Sequence, residues 1–145
     1  MKTEGGYLIG RAKFLRGRKL NKFFSEYGLT EFNGEQGKIL YYLWKKDGLS
    51  STDISLRTGL AINTLTKMLD KMEKKDLIYR KQSKSDKRKK KVFLTEKGRL
   101  LESKSKTVTD KMDEIFYKGF SEGEIEIFEN MLRKIITNME AEDDK

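Results

Sequence analysis

Apolar side chains return every three or four residues along most of this chain, the period of helices with one buried face. Near the middle that period breaks off and two short runs rich in β-branched and aromatic residues replace it. The first helical stretch runs from about Gly6 to Tyr27, with Leu20, Phe23, Phe24 and Tyr27 on one face and Gly28 as its stop. A second opens at "NGEQ", where Asn33 and Gln36 have capping-box spacing, and continues to Gly48 with Ile39, Leu40, Leu43 and Trp44 turned inward. Two shorter helices follow, "SSTDISLRTG" and "LAINTLTKMLDKMEKKD". Ser50 caps the first, with Asp53 three residues on, and the link Thr58 to Ala61 has the length and the glycine, Gly59, of a helix-turn-helix. Leu65, Met68, Leu69 and Met72 stripe the second of the pair, while Asn63, Thr64, Lys67, Asp70, Lys71 and Lys74 occupy its opposite surface.

"LIYR" and "KVFL" then predict two strands, with the basic "KQSKSDKRKK" as a long charged loop between them. Thr95 caps a helix reaching about Lys118, striped by Leu101, Val108, Met112 and Ile115. Ser121 and Glu124 form another capping box and open a last helix, in which Ile125, Phe128, Leu132, Ile135 and Met139 alternate spacings of three and four. Such a seam packs on another helix. Long helices at both ends of the chain, around a middle that is complete by itself, predict a shared dimer core, with Leu8 contributing from the first of them.

Composition sharpens this picture. A hydrophobic fraction of 36% is low for a monomer of 145 residues, so some burial is expected from a second copy. No run approaches the roughly 18 apolar residues of a membrane span, and the N-terminus lacks a signal peptide's apolar core, which predicts a soluble cytoplasmic protein. Cysteine and histidine are both absent, excluding disulfides, thiol redox chemistry, Cys/His zinc sites and imidazole catalysis. No phosphate-binding glycine loop is present, and neither a metal nor a cofactor is expected.

The net charge of +9 is unevenly spread. Arg80 to Lys91 carries eight basic residues against Asp86 alone, a net +7, whereas Ser121 to Lys145 carries eight acidic and three basic ones, a net −5. A local positive patch of that size points to a polyanion, duplex DNA first.

The order helix, helix-turn-helix, strand, basic loop, strand is that of a winged helix-turn-helix. The fold class expected is therefore mainly α with a small β-wing. In such a reader the second helix enters the major groove, where Asn63 can pair with adenine, Lys67 can reach guanine acceptors, and Thr64 and Thr66 can touch thymine methyls or phosphates. Ser50 and the helix-start amides favour phosphate, and Lys71 is placed for a phosphate rather than a base. In the wing, Lys84, Lys87, Lys89 and Lys90 neutralise phosphates while Arg88 enters a narrow minor groove. Asp86 orients Arg88 through an ion pair or stabilises the turn.

"DKRKKKVFLTEKG", Asp86 to Gly98, has the form D-x-R-x-x-x-x-x-L-T-x-x-G and resembles the wing and following helix of the MarR-type (multiple antibiotic resistance regulator) transcription factors. "NTLTKMLDKMEKKDLI", Asn63 to Ile78, is similar to their recognition helix and first wing strand, and "LT…EQGKILYYL", Leu29 to Leu43, extends the resemblance over essentially the whole chain. The resemblance implies a single domain over 1–145, with a DNA-binding region at 30–95 and a helical dimerisation region formed by 1–28 and 96–145. It implies a homodimer on a pseudo-palindromic site, usually a repressor, often released by a small phenolic or other anionic effector. It also implies Arg88 as the minor-groove arginine, Asp86 as its supporting acid, and Asn63, Thr64, Thr66 and Lys67 as major-groove contacts.

Two departures stand out. Ala61 occupies a position where a capping Ser or Asp is common, which leaves the recognition helix starting as late as Asn63 or less firmly set. Without Cys or His, the thiol-oxidation and histidine-containing zinc sensing of some relatives is unavailable. Six basic residues of the first helix, among them Arg11, Arg16 and Arg18, are expected to be solvated surface, and Phe14, Phe24, Tyr41 and Trp44 to be core. The rival from another class is a basic protein-interaction module without a specific DNA site. An enzyme would rest on Lys, Ser, Tyr or carboxylates, and no arrangement of these suggests one.

Overall fold

The computed structural model describes residues 1–86 and 89–143. Among these, helix α1 spans Gly5–Glu26, α2 Gly34–Lys45, α3 Ser51–Thr58, α4 Ile62–Lys74, α5 Glu96–Phe116 and α6 Glu122–Asp143, with strands β1 at Leu49–Ser50, β2 at Ile78–Gln82 and β3 at Lys90–Leu94. The chain forms two compact units, Met1–Met112 and Asp113–Lys145.

Local chemistry sets most of the helix starts. The Asn33 side chain accepts the Gln36 amide at 2.9 Å, and the Gln36 side chain accepts the Asn33 amide at 3.3 Å, closing a capping box at α2. Ser50 Oγ accepts the Asp53 amide at 3.1 Å to start α3. Gly59, at φ 76, ends α3 in the left-handed conformation that glycine adopts without strain. Helix α4 starts at Ile62, one residue before the latest start the sequence suggested, and Ala61 makes no side-chain cap.

The core of the first unit lies between α2, α3, α4 and the sheet. Ile39, Leu40 and Leu43 of α2, Ile54 of α3, Leu65, Leu69 and Met72 of α4, and Ile78 and Val92 of the strands are all buried. Each contributes about 1.5–3 kcal/mol by leaving water. The sheet is antiparallel in the order β1-β3-β2, with β2 and β3 paired from Ile78↔Leu94 to Gln82↔Lys90 and β1 added by Leu49↔Val92.

Several expectations needed correction. Strand β1 was missed, because two residues carry no readable alternation. The wing strands reach Gln82 and Lys90, so part of the stretch expected as loop is paired backbone. Helix α2 ends at Lys45 rather than Gly48 because Lys46 is already extended. Tyr27 is exposed, since the chain leaves the helix at that residue. Ile115 is also exposed, lying beyond Val108, the last α5 residue in the core cluster.

In the second unit, Phe116, Tyr117, Phe120 and Phe128 form an aromatic corner with ring centroids 4.8–6.5 Å apart. Tyr117 Oη donates to Glu129 at 2.6 Å. The Ser121–Glu124 capping box forms in both directions, at 2.9 and 3.1 Å. Helix α6 has no buried residue. Of its expected seam, Ile125, Phe128 and Leu132 are half-buried while Ile135 and Met139 are exposed. Among the described residues no helix is long and apolar enough to cross a membrane.

Candidate nucleic-acid interface

Helix α4 is amphipathic. Because Leu65, Leu69 and Met72 are held in the core, Asn63, Thr64, Thr66, Lys67 and Lys71 are all exposed on its outer side. Thr66 Oγ1 donates to the Ile62 carbonyl at 2.9 Å, which engages its proton and leaves the methyl and an acceptor lone pair outward. Ser50 Oγ is occupied as the α3 cap through its acceptor side, so its hydroxyl proton is what it can offer a phosphate. Lys84, Lys89 and Lys90 are exposed on the wing. Lys87 and Arg88 lie outside the described residues.

The wing is built from its base upward. Tyr79 and Phe93 stack across β2 and β3 at 5.5 Å, and Ser83 continues the ladder by donating its amide to the Lys89 carbonyl at 2.7 Å. The Asp86 carbonyl accepts the Lys89 amide at 3.0 Å, a main-chain turn contact. The expected Asp86–Arg88 pair involves a residue outside those described.

Arg80 opens the basic run but is engaged within the protein. Its guanidinium reaches back to α4 and pairs with Asp70 at 2.6 Å and Glu73 at 3.0 Å, while its amide donates to Glu73 at 3.2 Å. The hydrogen bond from Arg80 holds the Glu73 carboxyl below its ordinary pKa, and the same bond raises that of Arg80. Arg80 is thus a clamp between α4 and the wing, its guanidinium engaged by two carboxylates. Sequence reasoning missed it because the partners are ten and seven residues away across a turn. The available signal was the spacing of Asp70 and Glu73 on one helical face, just before the first basic residue of the following strand.

The second half of the wing motif forms a root. Thr95 Oγ1 accepts the Gly98 amide at 3.0 Å and donates to the Asp76 carbonyl at 2.6 Å. Trp44 Nε1 donates to the Gly98 carbonyl at 2.9 Å. A Cβ on Gly98 would collide with the Leu77 carbonyl oxygen, so only glycine allows this approach. Asp47 adds a strut, accepting the Leu94 amide at 2.9 Å with one oxygen and pairing with Arg99 at 3.1 Å with the other. Of the four aromatics expected in the core, Phe24 is buried and Trp44 half-buried, while Phe14 and Tyr41 are exposed.

This helix-turn-helix and wing coincide with a known family. The family model for MarR matches residues 32–90, from the start of α2 to the second wing strand. Residues 32–90 are thus similar to the MarR family. MarR proteins are transcriptional regulators, not enzymes. The HTH-type transcriptional regulator TtmR of Methylorubrum extorquens is 34% identical over 88 residues, 61% of this chain and 44% of that protein. The chain thus spans less than half the length of that relative. The HTH-type transcriptional regulator MgrA of Staphylococcus aureus is 28% identical over 116 residues, 80% of this chain and 76% of MgrA. In the MepR–DNA complex of S. aureus the protein superimposes with a TM-score of 0.82 at 27% identity, covering 94% of this chain and 99% of that one. The MarR model ends at Lys90, so Thr95 and Gly98, which anchor the wing, lie beyond the matched segment.

Proposed function

We propose that this protein belongs to the MarR family and is a transcriptional regulator that binds duplex DNA as a homodimer. The observation that carries the reading is the exposed polar side of α4 beside a basic hairpin, with Arg80 joining the two as one surface. In this reading Asn63, Thr64, Thr66 and Lys67 face base edges, Ser50, Lys71, Lys84, Lys87, Lys89 and Lys90 face phosphates, and Arg88 enters the minor groove with Asp86 beside it. The exposed Leu8 and the α6 seam of Ile125, Phe128, Leu132, Ile135 and Met139 would be covered by the second copy. The DNA-bound state of MepR supports the docking mode. Two-fold symmetry then requires an inverted repeat with half-sites about 10 bp apart or a multiple of that. Repression, with release by a small anionic or aromatic effector, completes the reading.

The deciding experiment selects a duplex from a random pool and compares it with a shuffled duplex by fluorescence anisotropy at about 150 mM salt, where nonspecific phosphate attraction is weak. A preference of roughly 10³ or more supports the specific regulator. Equal weak binding to both would favour the basic protein-interaction module. Adding candidate small acids to the specific complex then tests release.

A further inference from the structure

Two adjacent rungs of the hairpin, Tyr79↔Phe93 and Lys81↔Lys91, carry no residue assigned to duplex DNA. Side chains alternate across a strand, so these four share the face opposite Ile78, Arg80, Val92 and Leu94. Ile78, Val92 and Leu94 are buried and Arg80 reaches α4, which leaves the other face to solvent.

The aromatic rung is a stack with one closed end. Phe93 packs over Gly48, where an added Cβ would come within 2.9 Å of its ring, and it lies nearly parallel to Tyr79, with centroids 5.5 Å apart and 18° between the planes. Tyr79 is the outermost plate, on the edge strand β2, and is still 46% exposed, so the ring surface that Phe93 does not cover is open. The rung beside it opposes its own pairing. Lys81 and Lys91 stand directly opposite one another, both exposed, and among the described residues neither forms an ion pair. A bound anion between them would turn that repulsion into attraction.

We propose that this face binds an unpaired nucleic-acid strand, with a base stacked on Tyr79 and the adjoining phosphates held by Lys81 and Lys91. Same-face rungs lie about 7 Å apart, so the lysines reach the backbone on either side of a base seated on the plate. A duplex keeps its bases stacked internally and would use the lysines alone, as would a carboxylate-rich peptide. An unpaired strand offers both, a planar ring and an anion in every repeating unit, and stacking accepts any base because each has a π face. The site lies on the side of the hairpin away from α4 and is independent of duplex recognition.

Fluorescence anisotropy of a labelled single-stranded oligothymidylate with the full chain, at about 150 mM salt, tests this. The strand should bind roughly tenfold more tightly than an abasic strand of the same length, as one stacked base requires. Tyr79→Leu should remove that difference, whereas Tyr79→Phe, which keeps the ring, should preserve it. Lys81→Ala combined with Lys91→Ala, which relieves a repulsion and leaves the stack in place, should weaken both strands and make the log–log salt slope shallower by about 1.4, roughly 0.7 for each phosphate no longer neutralised. Lys67→Ala, on α4, should change neither strand.

Equal affinity of the parent for the two strands overturns the stacking, and that comparison needs no variant to fold. Loss of single-strand binding in Lys67→Ala but not in the lysine-pair variant places the strand on the α4 surface and overturns the inference. Absence of single-strand binding overturns it too, while leaving duplex recognition standing.

Discussion

At Gly98 a single added methyl group would have to occupy the space of the Leu77 carbonyl oxygen. Gly98→Ala is therefore expected to destabilise the first unit by about 1–3 kcal/mol in urea unfolding, without altering the surface charge. At Tyr117, burial first and then the hydrogen bond to Glu129 push the phenol up to about 12 from its ordinary 10.0. Because the folded value is raised, the contribution of the neutral phenol is intact below pH 10 and is lost as the pH climbs towards about 12. In an ultraviolet titration one of the six tyrosines should ionise last, and Tyr117→Phe should remove that component. Residue roles that depend on neighbours in sequence were legible: Asn33 with Gln36, Ser50 with Asp53, and Ser121 with Glu124 all form the expected caps. Trp44 bonding to Gly98, 54 residues away, was not, because nothing in a single sequence encodes which distant carbonyl an indole will find.

Between elements, the decisive contact is Arg80 joining β2 to α4. Arg80→Lys keeps the charge but loses the fork that serves two carboxylates, so the preference for the selected duplex should fall by about tenfold while affinity for shuffled DNA changes little. Anisotropy on both duplexes checks this. The clamp is also acid-sensitive. Since Arg80 lowers the Glu73 carboxyl, the stabilisation is complete above the ordinary carboxylate range, roughly pH 5, and is lost as the pH falls through the lower folded value. The difference in melting temperature between the parent and Glu73→Gln should accordingly shrink below about pH 4. The helices and the two wing strands were readable from periodicity, since α2, α4 and the strands bury one face and α6, which buries none, still carries the three-and-four apolar spacing. The strand ends were not, because Lys81, Gln82 and Lys90 pair through backbone groups that their side chains do not advertise.

For the molecule as a whole, charge segregation was plain in the sequence: a basic run in the middle of the chain and an acidic stretch at its end. What the sequence hid was how much of the basic charge is available, since Arg80 is committed internally. Lys89→Ala combined with Lys90→Ala should weaken binding to all duplexes alike and make the salt dependence shallower by about two in the log–log slope, roughly 0.9 for each phosphate that is no longer neutralised. Titrations at several salt concentrations measure that slope.

The hairpin is fastened at its foot by Thr95, Gly98 and Asp47 and along β2 by Arg80, and its rungs from Arg80 to Gln82 pair in regular register with Val92 to Lys90. Its length is therefore an adjustable quantity. Adding two residues to each strand between Gln82 and Lys90 would lift the tip by about 7 Å and keep every side chain on its present face, whereas adding one to each would turn the tip over. Insertions in even steps would therefore change the reach of the hairpin while leaving α4 and the foot of the hairpin as they are.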